Sequence, residues 1–227
     1  MSYFFQWSDE SYEYILTKPG YILLALLTVI VLFFITAMRG REGRQFDTRS
    51  LIFCSLAVAL GVLTSFMRIT TLPFGGSVTL FSMLAISFMG FVYGPGIGVT
   101  TGVAFGLLDL MIEPYIYHPI QVLLDYILAF GALGLSGFFA DRKNGLLKGY
   151  IVGVAARYVC HVLSGYIFFA SYAPEGTNPL IYTLTYNLTF ILPEMIATII
   201  LISIPSVSSA LLRLKGFARG ESSRLAL

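Results

Sequence analysis

The sequence predicts an all-α, polytopic membrane protein with seven transmembrane helices. Three observations predict it: 57% of residues are hydrophobic and only 11% charged, apolar runs recur at about the 20-residue length that crosses a bilayer, and Lys and Arg crowd into alternate connections. An ordinary soluble domain carries about 25% charged residues, so a soluble globule is excluded. Seven spans within 227 residues leave no room for an ATPase domain. The net charge of +2 is not gathered into a basic block inside any folded stretch, which gives no reason to propose nucleic acid as a partner. Cys54 and Cys160 lie in apolar helical context and read as small buried hydrophobes, not as a disulfide or metal ligands. No metal and no cofactor is expected.

The first apolar run, Tyr21 to Met38, follows Lys18-Pro19-Gly20 and precedes Arg39, Arg41 and Arg44. A signal peptide has its positive charges before the apolar stretch, so this run reads as a retained helix. Glycine, proline and charge then delimit spans at 50–68, 78–93, 96–113, 119–140, 146–171 and 179–212. One set of connections holds Arg39, Arg41, Arg44, Arg49, Arg142, Lys143, Lys148, Arg213, Lys215, Arg219 and Arg224, and the other holds only Lys18 and Arg68. Cytoplasmic loops carry the excess of Lys and Arg, which places the N-terminus outside and the C-terminus inside. The acidic, aromatic stretch around Trp7, Asp9, Glu10, Tyr12, Glu13 and Tyr14 then reads as an anchor at the outer interface. Residues 1–45 form an N-terminal segment with an extra helix, and residues 46–227 a six-helix core with a basic cytoplasmic tail.

Ionisable residues inside spans are costly and normally face a cavity or each other. Here they are Asp109 and Glu113 at the end of the third span after the N-terminal one, Asp125 beside Tyr126, Arg157 and His161 in the fifth such span, and Glu194 in the last. Arg157, His161 and Ser164 share one helix face, and Thr183, Asn187, Phe190 and Glu194 share another. With Asp125 and Tyr126 these stripes outline a pocket near the outer face, walled by Tyr115, Phe168, Phe169 and Tyr182. Aromatic rings attract cations and a buried carboxylate supplies a directional acceptor, so the ligand is expected to be small, partly aromatic and partly cationic. Other readings stand beside this one: Arg157 as a structural partner of Asp125 or Glu194, His118 as a packing residue, and Asp109, Glu113 and Glu194 as the proton sites of a self-sufficient carrier.

Ser55, Ala57, Ala59 and Gly61 give overlapping small-residue spacings, and Gly94, Gly96, Gly98, Gly102 and Gly106 give another series. Both predict close helix contact, within the chain or with a partner. No H-E-x-x-H, C-x-x-C, G-x-S-x-G or P-loop occurs, so zinc hydrolysis, thiol exchange, serine hydrolysis and nucleotide hydrolysis lack their minimum residues. The chain is not expected to be an enzyme.

Four segments, taken in order and spacing, carry a resemblance: Leu72-Pro73-Phe74-Gly75-Gly76-Ser77-Val78-Thr79-Leu80, Tyr115 to Tyr126 with its Gln121-Val122-Leu123-Leu124-Asp125-Tyr126, Arg157-Tyr158-Val159-Cys160-His161, and Tyr182 to Asn187. Over residues 46 to 212 the chain resembles the thiamine-binding S component of energy-coupling factor (ECF) vitamin transporters. The resemblance implies a six-helix subunit of the bacterial plasma membrane that captures thiamine at the outer face without a cofactor. It also implies docking onto a transmembrane coupling subunit and two cytoplasmic ATPases through Ser55, Ala57, Ala59 and Gly61. Carried over, the ligand residues are Tyr115, Asp125, Tyr126, Arg157, His161, Phe169, Tyr182 and Asn187. Asp125 stands where the family has Glu and Arg157 where it has Lys. The two site tryptophans are replaced, one by Phe169 and the other by Phe74 or a neighbouring Gly. Another small vitamin or a thiamine precursor is the alternative ligand.

Overall fold

A computed structural model describes residues 4–8, 13–24, 26, 47–72 and 76–221. The chain is helical over 18–24, but most of the expected span Tyr21 to Met38 lies outside the described residues, as does Phe74. Ahead of it, the stretch expected as an interfacial anchor contains an antiparallel hairpin of β1 (Phe5–Ser8) and β2 (Glu13–Leu16). The Tyr14 amide donates to the Ile116 carbonyl at 2.7 Å, tying this hairpin to the loop that precedes the fourth core helix.

The core comprises α1 (Thr48–Ser65), α2 (Ser82–Tyr93), α3 (Pro95–Ile112), α4 (Pro119–Phe139), α5 (Gly145–Phe168) and α6 (Pro179–Ser203). Five of them, all but the 12-residue α2, are long and apolar enough to cross a membrane. The α2 span expected from residue 78 starts later because Ser77–Val78 form β4, which pairs with β3 (Thr70–Thr71). Phe81 then turns with φ 63° before the helix begins. The final span expected at 179–212 is also corrected: the chain breaks at Ile204 and resumes as α7 (Pro205–Ala218). A residue before proline avoids helical dihedrals, and Ile204 adopts ψ 121°.

Close packing centres on α3 and α4. A Cβ on Gly102 would strike the Phe130 carbonyl oxygen, and one on Gly106 the Tyr126 carbonyl oxygen. Gly98, Gly102 and Gly106 of the series therefore serve contact inside the chain, where side chains would hold the backbones apart. The small residues of α1 divide. Ala57 and Gly61 are buried with Ser50 and Cys54, and a Cβ on Gly61 would lie 3.0 Å from the Phe105 ring. Ser55 and Ala59 lie on the exposed face with Leu51, Ile52, Leu56 and Leu60. The expectation that all four form one partner-contacting surface is thus corrected to two, because the helical spacing sends alternate small residues to opposite faces.

At the end of the bundle where α2 and α4 finish, α7 folds back beneath them. Arg219 Nε donates to the Val92 carbonyl at 2.6 Å, Lys215 Nζ to the Ala140 carbonyl, and the Tyr93 hydroxyl to the Ala218 carbonyl at 3.1 Å. These bonds satisfy carbonyls that a helix C-terminus leaves open. Burial pushes the Lys215 ammonium below its usual range, with Arg219 adding to the shift.

Candidate functional site

A cavity of about 310 Å³ opens at the opposite end of the bundle. It is lined by all eight expected ligand residues: Tyr115, Asp125, Tyr126, Arg157, His161, Phe169, Tyr182 and Asn187. Its size falls at the lower end of the range typical of small-molecule sites.

Asp125 is positioned by a local departure from α-helix. After His118 caps α4 by accepting the Ile120 amide through Nδ1, residues Leu123–Leu128 form a wide π-helical turn. Such turns insert a residue and recur at functional sites. Asp125 Oδ2 accepts from Gln121 Nε2 at 2.9 Å and from Ser164 Oγ at 2.8 Å, while Oδ1 lies 2.9 Å from His161 Nδ1. A carboxylate can only accept, so His161 donates from Nδ1. Its Nε2 is buried without a hydrogen-bond partner. Gln121 also donates to the Tyr115 carbonyl and accepts the Tyr117 amide. The Tyr126 hydroxyl donates to the Glu113 carbonyl and accepts the Tyr115 amide. One loop, 113–118, is thereby hung from α4 side chains, and it carries the ring of Tyr115 to 6.0 Å from that of Phe169.

Arg157 and Glu194 lie deeper. The Arg157 guanidinium stacks over the Phe130 ring at 4.0 Å, and its Nε and Nη1 are buried without hydrogen-bond partners. It forms no ion pair with Asp125 or Glu194 among the described residues, contrary to the structural-pair reading. Glu194 instead caps α2: it accepts from the Met83 amide at 2.9 Å, Ser82 Oγ at 3.2 Å and Thr79 Oγ1 at 2.5 Å. Glu113 is ion-paired to Arg68. His118 stacks on Phe168 with centroids 5.0 Å apart and serves as a helix cap.

Several lining residues were absent from the expected set. Gln121 and Ser164 are legible only as parts of the Asp125 motif and the Arg157 stripe. Tyr186 follows Tyr182 at i+4, and its hydroxyl accepts the Gly76 amide at 3.3 Å. Phe130 sits under Arg157 through a pairing of α4 with α5 that no local signal announces. Among the described residues no group of His, Cys, Asp and Glu could hold a metal ion.

Residues 51–213 match the family described as thiamine transporter protein (Thia_YuaJ). The thiamine transporter ThiT of Bacillus subtilis (strain 168) is 39% identical over 159 residues, covering 64% of this chain and 81% of that protein. ThiT of Lacticaseibacillus paracasei is 30% identical over 120 residues, 45% of this chain and 60% of that one. A solved structure of ThiT from Listeria monocytogenes shares the fold, with a TM-score of 0.56 at 24% identity, covering 70% of this chain and 96% of that chain. With the family model matching across most of the core and the fold shared with a solved ThiT, this chain belongs to the thiamine transporter protein family, a family of multi-pass membrane transporters and not of enzymes.

Proposed function

We propose that the chain is the substrate-capturing S component of an ECF-type importer and binds thiamine in the cavity around Asp125. The observation that carries this reading is the cavity itself, in which a carboxylate fixed by three donors, a buried guanidinium with free N–H groups and aromatic walls converge. The directed bonds at Asp125 suit the N–H donors of an aminopyrimidine, and the rings suit a flat cation. The cavity faces outward and the α7 end faces the cytoplasm. Arg49, Arg142, Lys143, Lys148 and Arg213 gather toward the latter, as cytoplasmic ends require.

Transport would need a transmembrane coupling subunit and two cytoplasmic ATPases. Docking would use the exposed Ser55 and Ala59 face of α1, where small residues allow another helix to approach. Calorimetry on the detergent-solubilised chain tests the capture step: thiamine binds without ATP or any partner, and no binding of thiamine, thiamine phosphate or the pyrimidine precursor at micromolar concentration overturns the reading. Ser55→Trp and Ala59→Trp test docking: binding persists while radiolabelled uptake in cells carrying the coupling module is lost. Uptake by the wild-type chain in cells without that module overturns the dependence.

A further inference from the structure

We propose that Asp109 is the counter-charge for the permanent cation of the ligand, separate from the Asp125 cluster that grips the uncharged half. The assignment rests on the thiamine reading and specifies which residue recognises the thiazolium ring.

Four carboxylates line the cavity, and three are already engaged. Glu113 pairs with Arg68, Asp125 takes Gln121, Ser164 and His161, and Glu194 takes Thr79, Ser82 and the Met83 amide. Asp109 accepts no hydrogen bond and has no cation within 4.0 Å among the described residues. It is placed on the cavity side of α3 between Phe105 and Glu113, each one helical turn away, and all three line the cavity. Neither of the two cations nearby pairs with it: Arg68 is on Glu113, and Arg157 lies over Phe130, whose ring meets Phe105 edge-on at 4.8 Å. A carboxylate withdrawn from water with no donor is unfavourable, and a cation arriving with the ligand relieves it.

The chemistry of the two carboxylates matches the two halves of the ligand. A thiazolium nitrogen bears no hydrogen and so needs a nearby opposite charge, not an aligned acceptor. Asp109, outside any hydrogen-bond network, offers that charge. Asp125, aligned by three donors, is fixed for directional contacts instead.

The test compares thiamine with deazathiamine, its neutral isostere in which carbon replaces the ring nitrogen, by calorimetry on the full solubilised chain. Wild type prefers thiamine by about tenfold or more, the scale of one close charge pair in a partly desolvated site. Asp109→Asn abolishes that preference by weakening thiamine alone, with deazathiamine affinity shifting less than about twofold, and Asp109→Glu retains it. Survival of the preference in Asp109→Asn would assign the cation to the ring faces and overturn the proposal. Parallel loss of both ligands would overturn it too, since Asp109 would then serve pocket shape. Wild-type protein that binds neither compound refutes the thiamine reading itself, a result distinct from either.

Discussion

The two ends of the bundle are built by opposite means. Through the middle, glycines bring α3 and α4 into backbone contact, and the polar side chains buried there, such as Thr101 and Ser136, are small. At the cavity end the α4 backbone widens into a π-helical turn, and large polar and aromatic side chains line the space. The difference teaches where substitution is tolerated. A close-packed interface depends on the absence of atoms, whereas the cavity depends on the identity of a few groups held by hydrogen bonds.

The sharpest test of the packed end is Gly98→Leu. A Cβ there already collides with the Gly90 backbone and lies 2.9 Å from that of Gly134. Because backbone cannot step aside as a side chain does, the expected loss exceeds about 3 kcal/mol. It should appear as a lower melting temperature and loss of monodisperse protein on size exclusion. A change too small to measure would mean that the helices separate easily and the contrast is false.

Asp125→Asn probes the other end. Removing the charge from the carboxylate cluster should weaken thiamine binding by about 1.5 to 3 kcal/mol, roughly tenfold to a hundredfold. The ligand-free melting temperature should scarcely move, as Asn keeps the shape and one acceptor. A large fall in stability with unchanged affinity would reverse the roles assigned to the two ends.

The smallest effect expected is that of Arg219→Ala. Its bond to the Val92 carbonyl is charged and short, but the side chain is 26% exposed, so water replaces part of what is lost. A destabilisation of about 1 kcal/mol is expected with thiamine affinity unaltered. Calorimetry and thermal melting on one preparation check both, and altered affinity would show that the ends are coupled.

Much of the cavity was legible in the sequence because its residues repeat at helical spacing on α5 and α6, and periodicity reports which side chains share a face. The helices themselves were legible from apolar length and punctuation. What escaped depended on which elements meet. Ser55, Ala57, Ala59 and Gly61 look alike in sequence, yet two are buried, Gly61 against Phe105, and two face outward. Glu194 reads as a stray intramembrane acid until α2 is seen to begin beneath it, 111 residues earlier in the chain. The break at Ile204 differs in kind: Pro205 was a local signal, outweighed by the apolar run that continues past it.

The wide turn at Leu123–Leu128 makes chain length a variable of ligand choice. A π-helical turn accommodates one residue more than regular α-helix over the same rise. Deleting one residue there would rotate everything before it by about 100° around the axis. Gln121 and the loop hung from it would swing away from Ser164 and His161, while Gly131 and Gly134 kept their contacts with Val99 and Val103. A single in-frame codon loss could therefore redraw the pocket and spare the scaffold, an evolutionary step that point substitutions would need several coordinated changes to match.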